Sequence, residues 1–417
     1  MISPGDILPL TIEKPAVGGP MIARVEGLVV LVSGAIPGER VSARVSRVGK
    51  GVAYADTLSV DEPSADRRVV EADPLCGGCL YFHIAYPRQL AIKAQIIADA
   101  FARIGRLTLP SAVDVRPSPE SGYRMRARLH LRGGRFGFFR EGTHDICDAR
   151  QTQQLLPATS DVLDRFASAL RSLLRDTVRE IELSENVDAS ERVVALDSVA
   201  AIDAETVDRL ASDDGLSGIV AASGTHGSAY VTDRLAVGDS APVVVRRHVA
   251  AFFQGNRYLL RDLVTLVSDH VPPNAQVVDL YAGVGIFSVG VAVARSARVT
   301  AVEGDRIAAA DLVANAVTAS DSMIALHQSV EEFTATTRES PDVVIVDPPR
   351  TGMSREALAG AIGLRADRVI YVSCDVATLA RDARRFVDAG YEIERVDAFD
   401  LFPNTPHVET VVVFQRM

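Results

Sequence analysis

Cys374 closes the apolar run Tyr371-Val372-Ser373 and stands directly before a segment of helical periodicity over 376–389. The tip of a buried strand holds a side chain rigidly, and the amino-terminal end of a helix stabilises a thiolate through its unpaired amides and dipole. The position suits a nucleophile, although a lone cysteine there also reads as a small buried hydrophobe. Its company favours chemistry. Asp347-Pro348-Pro349-Arg350 follows the preceding apolar run, Asp279-Leu280-Tyr281-Ala282-Gly283-Val284-Gly285 ends an earlier one, and His407-Val408-Glu409-Thr410 opens the last.

From residue 250 onward, apolar strands alternate with helices, the signature of a parallel sheet covered on both faces. Ligands of such sheets gather at the carboxyl ends of the strands. The turn Gly283-Val284-Gly285 follows the strand 277–281, and the next strand, 298–302, leads into Glu303. A carboxylate about 20 residues beyond a glycine turn can accept hydrogen bonds from both ribose hydroxyls of a nucleotide. Two cofactor classes remain open. A nicotinamide site prefers a third glycine, whereas the chain continues Ile286-Phe287-Ser288. S-adenosylmethionine has no pyrophosphate to demand that glycine and fits better. Asp347-Pro348-Pro349 is more specific, because two prolines after the apolar strand 343–346 neither extend a ladder nor readily enter a helix, and so fix a rigid loop at the crevice. Amino-group methyltransferases acting on adenine or cytosine end a similar tetrapeptide on an aromatic residue. Arg350 fills that slot here and points to a base edge or a phosphate.

Phe252-Phe253-Gln254-Gly255-Asn256, the glycine turn, Glu303, Asp347-Pro348-Pro349-Arg350, Val372-Ser373-Cys374-Asp375 and His407-Val408-Glu409 occur in an order that resembles the RNA 5-methyluridine methyltransferases. Gly34-Ala35-Ile36-Pro37-Gly38-Glu39-Arg40-Val41 likewise resembles the TRAM barrel that precedes many of them. The resemblance implies an α/β fold. A carboxyl-terminal Rossmann-like, S-adenosylmethionine-dependent methyltransferase domain (246–417) follows a small OB-like β-barrel (1–60) and a central α+β RNA-recognition region (61–245). It implies that Cys374 adds to C6 of uracil and that Glu409 removes the C5 proton, its pKa raised toward neutral by an apolar setting. Gln254, Tyr281, Gly283, Glu303 and Asp347 match cofactor contacts; Phe252, Asp347 and Arg350 match substrate contacts, with one of Phe252 and Phe253 expected in the core. Where the family often has Asn or Thr, this chain has Ile286. The expected activity is methylation of uracil C5 in ribosomal or transfer RNA. The alternatives are an RNA-binding or RNA-folding protein on the same scaffold, or a methyltransferase for another base position or a small molecule.

The rest of the chain bears on the RNA. The 417 residues carry a net charge of −10, yet residues 1–150 hold 20 Lys/Arg against 16 Asp/Glu. Nine arginines lie between Arg103 and Arg140 against only Asp114 and Glu120. Alternation over 123–132 puts Arg124, Arg126 and Arg128 on one strand face, a candidate phosphate footprint, with a solvated charged face as the plain reading. Short β-like runs over 1–60 suggest the small barrel. Helices are expected over 87–103, packing on the catalytic domain, and over 158–175, with a tight turn at Gly133-Gly134; the stretch 187–239 gives only weak alternation. With no tryptophan in the chain, stacking of an extruded base falls to Phe, Tyr, His or Arg. Many relatives by resemblance bind an iron-sulfur cluster through four cysteines. Here Cys76 and Cys79 keep the pair, Val70 and Thr152 occupy the other two slots, Cys147 lies five residues out of register as a possible third ligand, and His83 is the nearby candidate for a zinc site. No metal is therefore expected, the pair reading as the remnant of such a site. No apolar run reaches the ~18 residues of a spanning helix, and the start lacks a signal pattern. A cytoplasmic monomer without membrane contact is expected.

Overall fold

The computed structural model describes residues 2–417 apart from 71, 72, 74, 175, 176, 212–214, 239, 320, 321 and 339. Alternation of small apolar and polar residues organises its first sheet, whose six strands run in the order Ile7–Thr11, Arg40–Gly49, Val52–Glu62, Leu28–Ser33, Met21–Val25, Lys14–Pro15. Along Arg40–Gly49 the inward residues Val41, Ala43 and Val45 are fully buried while Arg44 faces water, as a period of two requires. The sheet curls around these residues together with Val30, Val32 and Ala53.

A helix over Tyr86–Ala100, with Pro87 in its first turn, leaves this barrel and ends in a π-turn over Phe101–Gly105. Its faces divide between two cores. Ile92 and Ile96 pack on the barrel, whereas Ile97, Ala100 and Phe101 enter the core of the catalytic sheet. The expected packing on the catalytic domain is half of what this helix does.

The central sheet has seven strands, from Ile146–Asp148 through Arg135–Phe139, Arg126–Arg132, Val178–Glu185, Arg192–Ser198 and Gly218–Ala221 to Gly224–Gly227. The helix Pro157–Leu174 covers one face with Leu163, Phe166 and Leu170, which meet Leu129 and Ile181. The weakly patterned stretch resolves into short strands and the helix Ala204–Leu210. Its last pair, Tyr230–Leu235 with Val243–His248, buries Leu235, Val243 and Val245 in the catalytic core.

The catalytic sheet has the order Met323–His327, Arg298–Glu303, Gln276–Leu280, Val343–Val346, Arg368–Ser373, Glu409–Arg416, Tyr391–Phe399, with Val115–Arg116 added at the edge. The first five strands are parallel, and Glu409–Arg416 runs antiparallel to its neighbours. Continuous apolar strands such as Val343–Val346, buried at every position, reflect cover on both faces. Reversal of strand order beside Gln276–Leu280 opens a crevice at the carboxyl ends.

Candidate active site

The strand Gln276–Leu280 leads into a turn of unusual backbone. Tyr281 takes φ of 62°, rare for a bulky residue, and Gly283 and Gly285 take 57° and 94°. A side chain at Gly285 would meet Leu312 at 2.7 Å, while one at Gly283 would meet nothing within 4 Å. Gly285 thus lets the turn pack against the helix Arg306–Ala319, and Gly283 leaves backbone open to a ligand. Ile286 begins that helix as a buried core residue. Glu303, at the end of the adjacent strand, accepts hydrogen bonds from the amides of Gly283 (2.7 Å) and Asp305 (2.6 Å).

Acid gathers at this turn. Asp279 is fully buried, bonded through one oxygen to the Ser288 hydroxyl, with the other lacking a protein partner. Asp347 accepts from Gln254 Nε2 at 3.1 Å. Burial pushes both carboxyls up to about 7, with Asp279 and Glu303 adding repulsion at Asp347. Three carboxylates around an open glycine turn fit a cationic ligand, since a sulfonium or ammonium would relieve that repulsion. Asp279 was not among the expected contact residues. Its signal, an acid next to the end of a strand and three residues before an alanine-glycine turn, lies in the sequence but reads equally as a structural cap.

Cys374 and Glu409 meet through strand register. Ser373 pairs with Thr410 across the antiparallel ladder, so the next residues, Cys374 and Glu409, emerge side by side. Glu409 is buried, and desolvation with the nearby Asp347 charge raises its pKa well above the ordinary carboxylate range, against the pull of Arg350. The expected direction for a base is present. Cys374 differs from expectation. Burial, Glu409 and Asp347 push its thiol up to about 12, and the opposing pull comes from the charge and hydrogen bond of Arg350. The helix Val376–Asp388 gives its first-turn amide at Thr378 to the Asp375 side chain, and the cation acting on the sulfur is the Arg350 guanidinium. His407, half-buried and edge-on to Phe402, is held neutral at about 4 by burial and by Arg350, Lys93 and Arg124.

The paired phenylalanines separate as expected. Phe253 is 4% exposed in the core, and Phe252 is 66% exposed beneath Arg126, whose guanidinium lies 5.7 Å from its ring. The arginine strand has the expected alternation, but the view of it as a stripe opposed only by Asp114 and Glu120 needs correction. Val178–Glu185 pairs with it and brings Glu182 to Arg126 (3.3 Å) and Arg128 (2.6 Å). Arg124 lies between the rings of Phe138 and Phe402 and donates to Gln154. Of the three, Arg128 keeps the most exposed side chain, at 62%.

Cys76 and Cys147 form a disulfide with Cα atoms 5.6 Å apart, beside the buried thiol of Cys79. Cys147, the possible third ligand, is not free for a metal: the hairpin strand carrying it brings its sulfur onto Cys76 instead. Val70 and Thr152 supply no thiolate, His83 is taken up by the Ala35 carbonyl, and no group of three metal ligands occurs among the described residues. The four-thiolate site of an iron-sulfur cluster does not fit.

Known proteins resemble the chain in sequence and in fold. The model of the tRNA (uracil-5-)-methyltransferase family matches residues 225–417, and that of the TRAM domain matches residues 3–58. The 23S rRNA (uracil(1939)-C(5))-methyltransferase RlmD of Methylococcus capsulatus is 31% identical, over 99% of this chain and 98% of its own. The protein of the same name from Halomonas elongata is also 31% identical, over 98% and 89%. The crystal structure of Pyrococcus abyssi tRNA (uracil-54, C5)-methyltransferase with S-adenosyl-L-homocysteine shares the fold at a TM-score of 0.75, 23% identity and coverage of 97% and 99%. Among the described residues no helix is long and apolar enough to cross a membrane. A site of paired thiol and carboxyl on a Rossmann-like sheet, behind a TRAM barrel and matched end to end by such relatives, places the chain in the RNA uracil-C5 methyltransferase family.

Proposed function

We propose that this protein methylates C5 of a uridine in RNA, with S-adenosylmethionine as donor and Cys374 as a transient covalent nucleophile. The observation that carries the reading is the register-fixed pairing of Cys374 with Glu409 beneath Arg350. Gln254, Tyr281, Gly283, Glu303 and Asp347 would hold the cofactor, with Asp279 added from its unpartnered buried oxygen. When bound, S-adenosylmethionine supplies an electrophilic methyl group to an electron-rich carbon.

The protein's own residues make that carbon. Arg350 favours the Cys374 thiolate, whose sulfur bonds to C6 of uracil and leaves an electron pair toward C5. Once C5 carries hydrogen and methyl together, the Glu409 carboxylate takes the proton, the C5–C6 double bond returns and the sulfur leaves. Phe252, exposed at the crevice, offers a stacking face for the extruded base, and Asp347 and Arg350 offer polar contacts to its edge. Arg124 and Arg126 shape this rim through their own partners, whereas Arg128 has the exposure to meet a phosphate. The full-length relatives named for 23S rRNA favour ribosomal RNA as the substrate class.

Two variants test the chemistry. Cys374→Ala should abolish methyl transfer while binding S-adenosylmethionine as the wild type does, and retained turnover would remove the covalent step. Glu409→Gln should methylate without release, leaving a denaturant-stable protein–RNA adduct. Mapping 5-methyluridine in ribosomal and transfer RNA from cells with and without the gene would identify the target, and no lost site in either pool would reject the reading.

A further inference from the structure

Away from the catalytic crevice, the turn at Gly133-Gly134 closes one side of an open cavity of about 710 Å³. Three arginines from three elements line it: Arg132 at the end of its strand, Arg171 in the last turn of the helix Pro157–Leu174, and Arg179 near the start of Val178–Glu185. All three are exposed, and no carboxylate lines the cavity among the described residues. Arg132 donates to the Leu131 carbonyl, and none of the three makes an ion pair with a described acid. Several other arginines of the central region are matched, Arg126 and Arg128 by Glu182, Arg140 by Asp73, and Arg150 by Asp161 and Asp164. Three guanidiniums around one concavity, unmatched among the described residues, repel one another, a cost that an anion with several charges would offset.

We propose that this basin binds backbone phosphates of the substrate RNA, as an anchor remote from the target uridine. The inference rests on the RNA methyltransferase reading. Arg132 ends the strand Arg126–Arg132, and Arg124 stands two residues before that strand begins, so the two lie on the order of 27 Å apart at the usual rise of an extended chain. Arg124 is beside the crevice, stacked on Phe402, whose ring also faces His407. An RNA whose uridine occupies the crevice would therefore reach the basin only through nucleotides well removed from the target. Such contact adds affinity and register without reading sequence.

The test compares wild type with the triple variant Arg132→Ala/Arg171→Ala/Arg179→Ala. Binding is measured against salt for two transcripts of large-subunit ribosomal RNA, a domain-length one and a short stem-loop around the target, together with kcat and KM. The variant should lose about tenfold to a hundredfold in affinity for the long RNA, and its salt slope should fall by about 2 to 3, roughly one per phosphate lost. kcat and binding of the stem-loop should not change. A triple Arg→Lys variant should recover the salt slope, which separates charge from folding. Unchanged affinity and slope on the long RNA, or equal losses on both RNAs, would overturn the anchor. Because binding is read without turnover, a wild type that shows the long-RNA effect but transfers no methyl would leave the anchor standing and remove the methyltransferase reading instead.

Discussion

Cys374 is a thiol in the free protein, because burial and the carboxylates of Glu409 and Asp347 push it up to about 12 against the pull of Arg350. Below that value its thiolate fraction grows tenfold with each pH unit. Glu409, also raised, gains its ionised form in the same direction. Both groups therefore make the reaction faster as pH rises, and kcat/KM should climb between about pH 6 and about pH 9 rather than peak near neutrality. Arg350→Ala removes the opposing charge. The thiol then moves further up, the profile shifts to higher pH, and activity at neutral pH should fall at least about tenfold, with partial recovery in Arg350→Lys. A profile of unchanged position in Arg350→Ala would show that the guanidinium does not set the sulfur's ionisation. A cationic cofactor beside Asp347 would act in the same sense as Arg350, by cancelling one of the charges that hold the thiol protonated.

The helix that follows Cys374 is held from behind by a glycine. A side chain at Gly105, in the π-turn Phe101–Gly105, would lie 2.8 Å from the Ala380 carbonyl of the helix Val376–Asp388. That oxygen is backbone and cannot swing away, so Gly105→Ala should cost about 1–3 kcal/mol of stability. It should lower kcat more than KM, because it displaces the support of the proposed nucleophile rather than the RNA surface. Thermal melting and steady-state kinetics check this, and a variant with wild-type melting would mean that the two helices slide apart freely. Much of this machinery is legible locally. Apolar runs ending on Cys374 and Asp347, and the aspartate that caps the next helix, announce strand ends and helix starts without reference to distant residues. The acids opposite the arginine strand are not legible in that way, because Glu180 and Glu182 reach it across a ladder some fifty residues removed. The Cys76–Cys147 bond likewise depends on a hairpin bringing together residues 71 apart. Glycine turns and strand periodicity are local chemistry, whereas charge neutralisation is tertiary.

At the scale of the whole molecule, the central sheet and the catalytic domain are joined by buried charge. Glu185 is fully buried and takes Arg192 (2.7 Å), Arg257 and the Thr159 hydroxyl (2.6 Å). Arg257 belongs to the segment entering the helix Leu260–Asp269 and also donates to the Val187 carbonyl. Beside it the fully buried Arg247 ties Asp233 to the Ser184 hydroxyl and the Glu185 carbonyl, its guanidinium 4.3 Å from the ring of Phe253. Phe253 immediately precedes Gln254, which bonds Asp347. The knot therefore stands one residue from the proposed cofactor site, and its integrity is expected to bear on catalysis as well as on cohesion. Replacing a buried pair by apolar groups is often harmless, but removing one partner strands the other. Glu185→Ala would leave Arg192 and Arg257 without their shared carboxylate, at a cost of about 3–5 kcal/mol. If the knot joins the two parts into one cooperative unit, that loss should lower a single melting transition and weaken S-adenosylmethionine binding, although residue 185 touches no part of the proposed cofactor site. Calorimetry with and without the cofactor separates the possibilities. An early, cofactor-independent transition in the variant, followed by a second at the wild-type temperature that still shifts with cofactor, would mean that the central sheet unfolds alone and that the buried charges position the RNA-facing part without supporting the catalytic one.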